Sequence, residues 1–189
     1  MAKKTVLLNN EEFAPYINDK QIQKRIKQLG KKLSKDYKGK TPIFIGVLNG
    51  SFIFFADLIR EITIDCEVDF LKLSSYGDAK VSTGNVHLLK DLNCQVMDRD
   101  IIIVEDIIDS GLSMDFIKRM VLAQNPKSFA VVSLLYKSKA VKIDFPIEYI
   151  GFKIPNDFVV GYGLDYAQKG RNIPSVYKII EKKNNLSGE

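Results

Sequence analysis

The sequence of residues 101–114 is IIIVEDIIDSGLSM, and this stretch decides the fold of the protein. Four β-branched apolar residues in a row predict a strand buried on both faces, as in a parallel sheet. We expect this strand to end in two adjacent acids, Glu105 and Asp106. The chain then turns at Gly111 and enters a helix at about Ser113. Such a turn directs backbone N–H groups and a helix N-terminus at one point, which favours a phosphate ligand.

Strands and helices alternate on both sides of this stretch. The alternation implies an α/β fold with a central, mostly parallel sheet and helices on both faces. We predict a single domain over residues 1–189, and the polar tail from about Lys182 is expected to be disordered. Residues 74–85, rich in Ser, Gly, Asp and Thr, predict a mobile loop. Further strands are predicted at residues 41–48, 65–74, 129–136, 147–152 and 158–160, and further helices at residues 19–37 and 52–62.

The charge and cysteine content fit a protein that handles anions in a reducing compartment. The chain has 28 basic and 23 acidic residues, a formal net charge of +5, which suits anionic ligands and does not require nucleic acid. Cys66 and Cys94 form no metal-type spacing with the single histidine, His87, and no disulfide framework is expected. We find no apolar stretch of signal-peptide length and no run of ~18 apolar residues that could cross a membrane. We therefore expect a cytoplasmic location.

The two acids lie where the ligands of such sheets bind, beyond the carboxyl ends of the strands. Their carboxylates are poorly placed for a phosphate, but they suit the hydroxyl groups of an attached sugar, or a cation. Phosphoryl-receiver domains and several nucleotide-binding proteins share parts of this pattern. An isolated pair of acids is more often an ordinary loop feature, so the pattern alone leaves these alternatives open.

The whole fourteen-residue string resembles the motif that binds phosphoribosyl pyrophosphate (PRPP) in the type I phosphoribosyltransferases. It is most similar to that of the hypoxanthine and hypoxanthine-guanine phosphoribosyltransferases. The resemblance continues in family order from about Ile43 to Arg171. It implies the fold of that family, with a small hood lobe beside the sheet. It also implies a purine-salvage transferase that moves the 5-phosphoribosyl group of PRPP to N9 of hypoxanthine, and of guanine, releasing pyrophosphate.

The resemblance also implies which residues contact PRPP. Glu105 and Asp106 are expected to bind the ribose hydroxyls and a metal ion. Asp109 is expected to be the catalytic acid or base at purine N7. The implied 5′-phosphate contacts are Asp109, Ser110, Gly111, Leu112 and Ser113, and the implied pyrophosphate contacts are Leu48, Asn49, Gly50 and Arg171.

Three further features follow from the same resemblance. In the family a peptide bond of the pyrophosphate loop can be cis, which points to the Leu48–Asn49 bond. Ser75 and Tyr76 are similar to the start of a flexible loop that closes over the site and excludes water. Asp165 is similar to a metal ligand, and Mg²⁺ is the implied cofactor because it prefers hard oxygen ligands.

The purine is expected to contact a lysine and a short apolar segment. Lys137 is similar to the lysine that donates to the purine O6 atom, Phe158 to the ring that stacks on the base, and Val159 to the residue whose backbone bonds its polar edge. Without the resemblance, Lys137 would be interpreted as a surface lysine, and Phe158 and Val159 as the core of a strand.

The chain departs from the family pattern at a few positions. Asn49 stands where many members carry a basic residue, so side-chain help to pyrophosphate is not implied. Ser110 and Ser113 replace common threonines and keep the hydroxyl groups. Residues 138–141 lack an arginine that some relatives carry after the lysine, which weakens any inference about the preferred base.

Several functions remain open at the level of sequence. A xanthine-preferring relative would fit the same motifs. A regulatory protein of this fold would bind PRPP as an effector together with nucleic acid, but Asp109 and Asp165 fill the catalytic and metal positions and no DNA-binding domain is visible. A phosphoryl receiver would not need Lys137, Phe158 or Arg171. We expect PRPP and a 6-oxopurine as substrates, no nucleic acid and no membrane as partners, and, from the resemblance, a homodimer or homotetramer.

Overall fold

The computed structural model describes residues 5–75, 86–138, 140 and 145–180. Within these ranges the chain forms ten strands and three helices. The strands are β1 (Val6–Leu8), β2 (Glu11–Ile17), β3 (Ile43–Leu48), β4 (Glu67–Ser75), β5 (Val86–Lys90), β6 (Asp100–Ile108), β7 (Ser128–Lys137), β8 (Tyr149–Ile154), β9 (Val159–Val160) and β10 (Val176–Ile179). The helices are α1 (Asp19–Asp36), α2 (Phe52–Arg60) and α3 (Leu112–Leu122).

The larger sheet confirms the predicted α/β architecture. Its described strands are ordered β5-β4-β3-β6-β7-β8. All neighbours are parallel except β5, which pairs antiparallel with β4 at one edge. The central strands β3 and β6 are buried along nearly their whole length, which explains why their sequences are continuous apolar runs rather than alternating ones.

Alternate residues of the central strands point to opposite faces of the sheet, and helices cover both faces. On one face, Ile102 and Val104 of β6 belong to the same core cluster as the apolar stripes of α1 and α2. On the other face, Ile101 and Ile103 belong to the core cluster that contains the apolar stripe of α3. The period of two in a strand therefore divides the core into two layers.

Helix α1 begins at a complete capping box. The Asn18 side chain accepts from the backbone N–H of Gln21, and the Gln21 side chain accepts from the backbone N–H of Asn18, both at 2.9 Å. Asn18 is therefore the N-cap, and Asp19 is the first residue of the helix. The predicted stripe of Ile22, Ile26, Leu29 and Leu33 is buried, as helical spacing requires.

A small antiparallel sheet, ordered β1-β2-β10-β9, forms the additional lobe. Its strands β1, β2 and β10 were not predicted. Strand β2 contains Pro15 and two glutamates, so it lacks the continuous or alternating apolar pattern that indicates a strand. It gains its pairing from β10, which lies about 160 residues further along the chain. Strand β5 was also missed.

Two predicted element boundaries were wrong. Strand β6 does not end at Glu105 and Asp106 but continues to Ile108, because its ladder with β7 runs on as far as the pair Ile108↔Tyr136. Phe158 lies just before strand β9 rather than within it. Residues 76–85 of the loop predicted at residues 74–85, including Tyr76, and the tail from Lys182 lie outside the described residues. The first two residues of that predicted loop, Ser74 and Ser75, belong to β4. No described helix has the length and apolar character needed to span a bilayer.

Asp69 ties the segment after β5 to the sheet through a buried carboxylate. Its oxygens accept from the backbone N–H groups of Phe70 at 2.7 Å, Asn93 at 2.7 Å and Cys94 at 2.9 Å, and the Lys90 ammonium lies 3.4 Å away. Burial opposes ionisation of the Asp69 carboxyl, but these N–H donors outweigh it and lower its pKa to about 2.

We predict that Asp69→Asn lowers the free energy of unfolding at pH 7 by about 1–2 kcal/mol, because the amide accepts fewer of these bonds. The folded pKa lies below the ordinary value of about 3.9, so this stabilisation is complete above that pH and is lost as pH falls towards 2. Urea unfolding of both proteins between pH 7 and pH 3 measures the difference. Asp65→Asn, at an exposed position, is the control. A difference that persists unchanged at pH 3 would contradict the assignment.

Candidate active site

The site lies at the switch point of the larger sheet. Strands β3 and β6 are neighbours, but the connection through α2 leads from β3 to β4 on one side, and the connection through α3 leads from β6 to β7 on the other. A crevice forms where successive connections diverge in this way, outside the carboxyl ends of the strands. The loops that follow β3 and β6 therefore flank one crevice.

Both loops lead into a helix whose N-terminus has no side-chain cap among the described residues. At α2 the Ser51 hydroxyl donates backwards to the Val47 carbonyl at 2.6 Å. At α3 the N-cap is Gly111, whose φ of 88° is accessible to glycine at little cost. Helix α1 has a complete capping box, so among the described helices the lack of a side-chain cap is confined to α2 and α3. Uncapped N–H groups and the helix dipole favour anions at both ends.

The loop before α3 encloses a cavity of about 90 Å³. Ser110 Oγ accepts weakly from the Leu112 backbone N–H at 3.4 Å, while the Leu112 side chain is exposed. The cavity is lined by Glu105, Ile107, Ile108, Asp109, Ser110, Gly111, Ser113 and Met114. The structure thus gathers the predicted 5′-phosphate residues around one small polar cavity, apart from Leu112, which contributes no lining side chain.

The loop after β3 makes a close backbone contact with β6. A Cβ atom on Gly50 would lie 1.7 Å from Asp106 Oδ2, so only glycine fits between the loop and this carboxylate. The peptide bond Leu48–Asn49 is cis, as the resemblance implied. Asn49 is exposed. The predicted pyrophosphate loop and the predicted ribose carboxylate are therefore in direct contact.

Glu105 and Asp106 are buried acids, each 9% exposed. Burial and the neighbouring Asp106 raise the pKa of Glu105 well above its ordinary value. Burial also raises the pKa of Asp106, to about 6, although its backbone hydrogen bonds and Arg171 act in the opposite direction. Glu105 Oε2 is buried and has no hydrogen-bond partner among the described residues. Desolvated carboxylates of this kind call for a ligand that supplies hydroxyl donors or positive charge.

A second cavity, of about 230 Å³, opens beside the first. Lys137, the last residue of β7, is 6% exposed and its Nζ atom lies 2.7 Å from Asp109 Oδ2. The interpretation of Lys137 as a surface lysine is therefore wrong. The cavity is lined by Asp106, Ile107, Asp109, Lys137, Phe158, Val159, Leu164 and Asp165. All predicted purine residues line it, together with the predicted catalytic acid.

Two aromatic side chains, Phe13 of β2 and Tyr166, support the Phe158 ring. Its centroid lies 5.4 Å from that of Tyr166, with the rings nearly perpendicular, and 6.2 Å from that of the fully buried Phe13. Edge contacts of this geometry are favourable and hold a ring in place. These two rings hold the Phe158 side chain as one wall of the second cavity.

Arg171 and Asp165 form an ion pair at the mouth of the site. Arg171 Nη2 lies 2.6 Å from Asp165 Oδ1, and Arg171 Nη1 donates to the Gly163 carbonyl at 2.8 Å. Among the described residues, no three acidic, histidine or cysteine side chains cluster as a self-contained metal site.

Sequence reasoning missed several residues of the site. Ile107 lines both cavities and Leu164 lines the second. Both residues lie within motifs that were recognised in the sequence, and this location could have identified them as residues of the site. The ion pair between Lys137 and Asp109 was also missed. Ser75 is the last residue of β4, and Tyr76 lies outside the described residues.

The comparison with known families matches this geometry. Residues 16–167 match the phosphoribosyl transferase domain family. This span includes both uncapped helices, the paired acids and the second cavity. The chain belongs to the phosphoribosyl transferase family.

Individual relatives narrow the group. The chain is 45% identical to a hypoxanthine-guanine phosphoribosyltransferase of Bacillus subtilis over 160 residues, covering 85% of this chain and 89% of that protein. It is 43% identical to a hypoxanthine phosphoribosyltransferase of Escherichia coli over 166 residues, covering 87% and 93%. A crystal structure of a hypoxanthine-guanine phosphoribosyltransferase of Bacillus anthracis superposes with a TM-score of 0.83 at 42% identity, covering 88% and 98%. Within the family, the chain groups with the hypoxanthine and hypoxanthine-guanine phosphoribosyltransferases.

Proposed function

We propose that the protein transfers the 5-phosphoribosyl group of PRPP to N9 of hypoxanthine, and of guanine, giving IMP or GMP and pyrophosphate. The observation that carries the proposal is the ion pair of Asp109 and Lys137, which lies between the phosphate cavity and the cavity lined by Phe158 and Val159. A catalytic acid or base and an O6 donor thus stand side by side where a purine would meet a phosphorylated ribose.

The three parts of PRPP have matching subsites. The 5′-phosphate binds the loop of Ser110 to Ser113 and the N-terminus of α3. Pyrophosphate binds the backbone of Leu48, Asn49 and Gly50 at the N-terminus of α2, with Arg171 on the other side. Because both helix ends lack side-chain caps, their N–H groups are available to these anions.

Glu105 and Asp106 bind the ribose between these two subsites. The hydroxyl groups of the sugar supply the hydrogen bonds that the buried Glu105 oxygen lacks in the described structure. As the bond from C1′ to pyrophosphate breaks, positive charge develops on the ring, by analogy with other glycosyl transfers. Nearby carboxylates stabilise that charge more strongly in a desolvated site than they would in water.

Asp109 handles the proton that must leave the base. The N9 atom bonds to C1′, pyrophosphate departs with the electron pair of the broken bond, and Asp109 accepts the proton from N7. The Lys137 ammonium, 2.7 Å from Asp109, orients the carboxylate towards the second cavity and can donate to O6 of the same purine. Phe158 stacks on the base, and the Val159 backbone bonds its polar edge.

Mg²⁺ fits the residues present. It is usually held by one or two carboxylates together with substrate phosphates and water. Asp165 would hold one such ion, and Glu105 and Asp106 would contribute to another beside the ribose. Burial raises the pKa of Asp106, and a nearby cation would lower it again by stabilising the carboxylate form. When bound, the ion neutralises charge on the pyrophosphate leaving group. Closure of a loop that begins at Ser75 and Tyr76 would exclude water from PRPP.

The partners are small molecules, with no nucleic acid and no membrane, and the protein acts in the cytoplasm, which fits the free thiols of Cys66 and Cys94. A homodimer or homotetramer is expected.

A turnover assay with the purified protein, PRPP, hypoxanthine and Mg²⁺ is the decisive test of the proposed function. Absence of IMP would overturn the proposal.

We predict that Asp109→Asn lowers kcat by roughly 10- to 10³-fold, because an amide cannot exchange the N7 proton. The asparagine oxygen still accepts from Lys137, so PRPP affinity and thermal stability stay near those of the wild type. Steady-state kinetics, a PRPP titration and thermal unfolding together check this expectation. An unchanged kcat would remove Asp109 from the mechanism.

Chelation with excess EDTA is expected to abolish activity, and added Mg²⁺ to restore it, because pyrophosphate is a poor leaving group without charge neutralisation. Asp165→Ala raises the Mg²⁺ concentration needed for half-maximal rate. The control is Glu67→Ala, which loses an ion pair to Arg99 at the opposite end of the sheet. Full activity in EDTA, or equal Mg²⁺ dependence of the two variants, would refute the metal assignment.

Lys137→Met tests the recognition of the base. Lys137 carries only donors and would face the N6 amino group of adenine donor to donor, so the wild type should prefer hypoxanthine over adenine by ~10⁴ or more. The variant loses kcat/KM for hypoxanthine and narrows this gap. Any effect through Asp109 is shared by the two bases, so the ratio isolates the contact at O6. If the variant keeps the full discrimination, the base is recognised elsewhere, around the Val159 backbone.

A further inference from the structure

A partly buried hydroxyl–carboxylate bond links two segments that the proposed function uses but that are distant in sequence. Tyr162 is 2% exposed, and its hydroxyl donates to Asp57 Oδ2. Burial and this bond raise the pKa of the Tyr162 phenol, so the phenol remains a neutral donor across the physiological pH range. None of the activities described above requires either residue to touch a substrate.

Besides Tyr162, two other residues contact the Asp57 carboxylate. Gln23 Nε2 of α1 donates to Asp57 Oδ2 at 2.8 Å, and the Arg60 guanidinium pairs with Asp57 Oδ1. The carboxylate is thereby held between α1 and the body of α2. The Tyr162 hydroxyl therefore bonds to a carboxylate whose position is set by two helices.

The two bonded residues belong to the two chain segments that form the pyrophosphate subsite, one with the Leu48–Gly50 loop and the other with the Asp165–Arg171 segment. Asp57 lies on α2, which begins directly after the loop of Asn49, Gly50 and Ser51. Tyr162 lies two residues before Leu164 and three before Asp165. The bond therefore joins the helix that presents one half of the subsite to the segment that presents the other.

The backbone around Tyr162 turns sharply and is packed against the pyrophosphate loop. Tyr162 itself has φ of 51°, a conformation that L-residues adopt only when surrounding contacts impose it. A Cβ atom on Gly163 would lie 2.1 Å from the Gly50 carbonyl oxygen, so the two backbones are in direct contact. The Gly163 N–H donates to the Arg171 carbonyl at 3.0 Å, and the Gly163 carbonyl accepts from the Arg171 guanidinium at 2.8 Å. Through Gly163, the residue next to it, Tyr162 is therefore connected to both Gly50 and Arg171.

We propose that Tyr162 and Asp57 are a positioning pair that sets the spacing between the Leu48–Gly50 loop and the Asp165–Arg171 segment, and thereby the affinity for the pyrophosphate group of PRPP. The inference rests on the proposed function. It assigns to the hydroxyl of Tyr162 a role that is separate from the burial of its ring, which belongs to the core cluster that also contains Leu164 and Phe54.

The chain contains a matched control for loss of the hydroxyl. Tyr149 is also a buried core tyrosine, 6% exposed, and its hydroxyl donates to Asp36 Oδ2 at 2.9 Å. Burial and the bond to Asp36 raise the pKa of its phenol in the same way. Tyr149 is the first residue of the parallel strand β8, so its bond lies at the end of the sheet opposite to the active site. Tyr162→Phe and Tyr149→Phe remove the same kind of bond, and only the first removes it beside the subsite.

The experiment measures substrate KM values and kcat for the full-length wild type and both variants, together with the dissociation constant of magnesium pyrophosphate by calorimetry. Tyr162→Phe is expected to raise the KM for PRPP and the pyrophosphate dissociation constant about tenfold, the scale of one hydrogen bond to a charged group. The KM for hypoxanthine stays within about twofold, because Phe158 and Lys137 do not depend on this bond. Tyr149→Phe leaves all of these constants near wild-type values.

A second variant guards against a general loss of folding. Asp57→Asn keeps an acceptor oxygen for the Tyr162 hydroxyl, so it should retain PRPP affinity better than Tyr162→Phe. The inference is overturned if Tyr162→Phe binds pyrophosphate like the wild type, or if Tyr149→Phe weakens pyrophosphate binding as much. It is also overturned if Asp57→Asn weakens binding more than Tyr162→Phe does. A wild type that binds pyrophosphate but forms no IMP would instead refute the proposed function, so the two failures are distinguishable.

Discussion

The burial of two adjacent carboxylates within β6, near its carboxyl end, is the constraint on which the rest of the site depends. Glu105 and Asp106 lie inside the strand ladder, where desolvation raises both of their pKa values. Leaving such groups without ligands opposes folding, since each carboxylate gives up hydration for few protein donors. The surrounding parallel sheet, with nearly every apolar residue of β3 and β6 buried, offsets this cost. The acids in turn dictate their neighbours, because Asp106 leaves room only for a glycine at position 50.

The same sheet explains why anion sites flank the acids. Because β3 and β6 are adjacent while their crossovers diverge, two helices begin on either side of one crevice. Their N-termini lack the kind of capping box that closes α1. A protein optimised only for stability would cap these ends, since a good cap contributes about 1 kcal/mol. Helix N-termini without a side-chain cap among the described residues, together with desolvated acids in the same crevice, are complementary to a ligand that carries both phosphates and hydroxyls.

The strands and helices around the crevice are predicted well from the sequence, and the strands of the small sheet poorly. The β6–α3 segment is defined by local signals, an apolar run and a glycine turn, so its strand, loop and helix could be predicted with errors of a few residues. The small sheet depends on the pairing of β2 with β10 across most of the chain. Its short strands carry charges and a proline, and no local pattern shows that Phe13 will pack behind Phe158. Non-local pairing of this kind is invisible to periodicity.

The link between Asp109 and Lys137 lies between these extremes, because it follows from register. The parallel ladder of β6 and β7 pairs residues that differ by 28 in number, from Asp100↔Ser128 to Ile108↔Tyr136. Continuing that offset by one residue places Asp109 opposite Lys137, and the two side chains do meet. Both strands were predicted from sequence, but their register was not. Once the ladder forms, the proposed proton acceptor and the proposed base-recognising cation are brought together by backbone hydrogen bonds of the core. Their separation is therefore set by the most stable part of the fold rather than by a flexible loop.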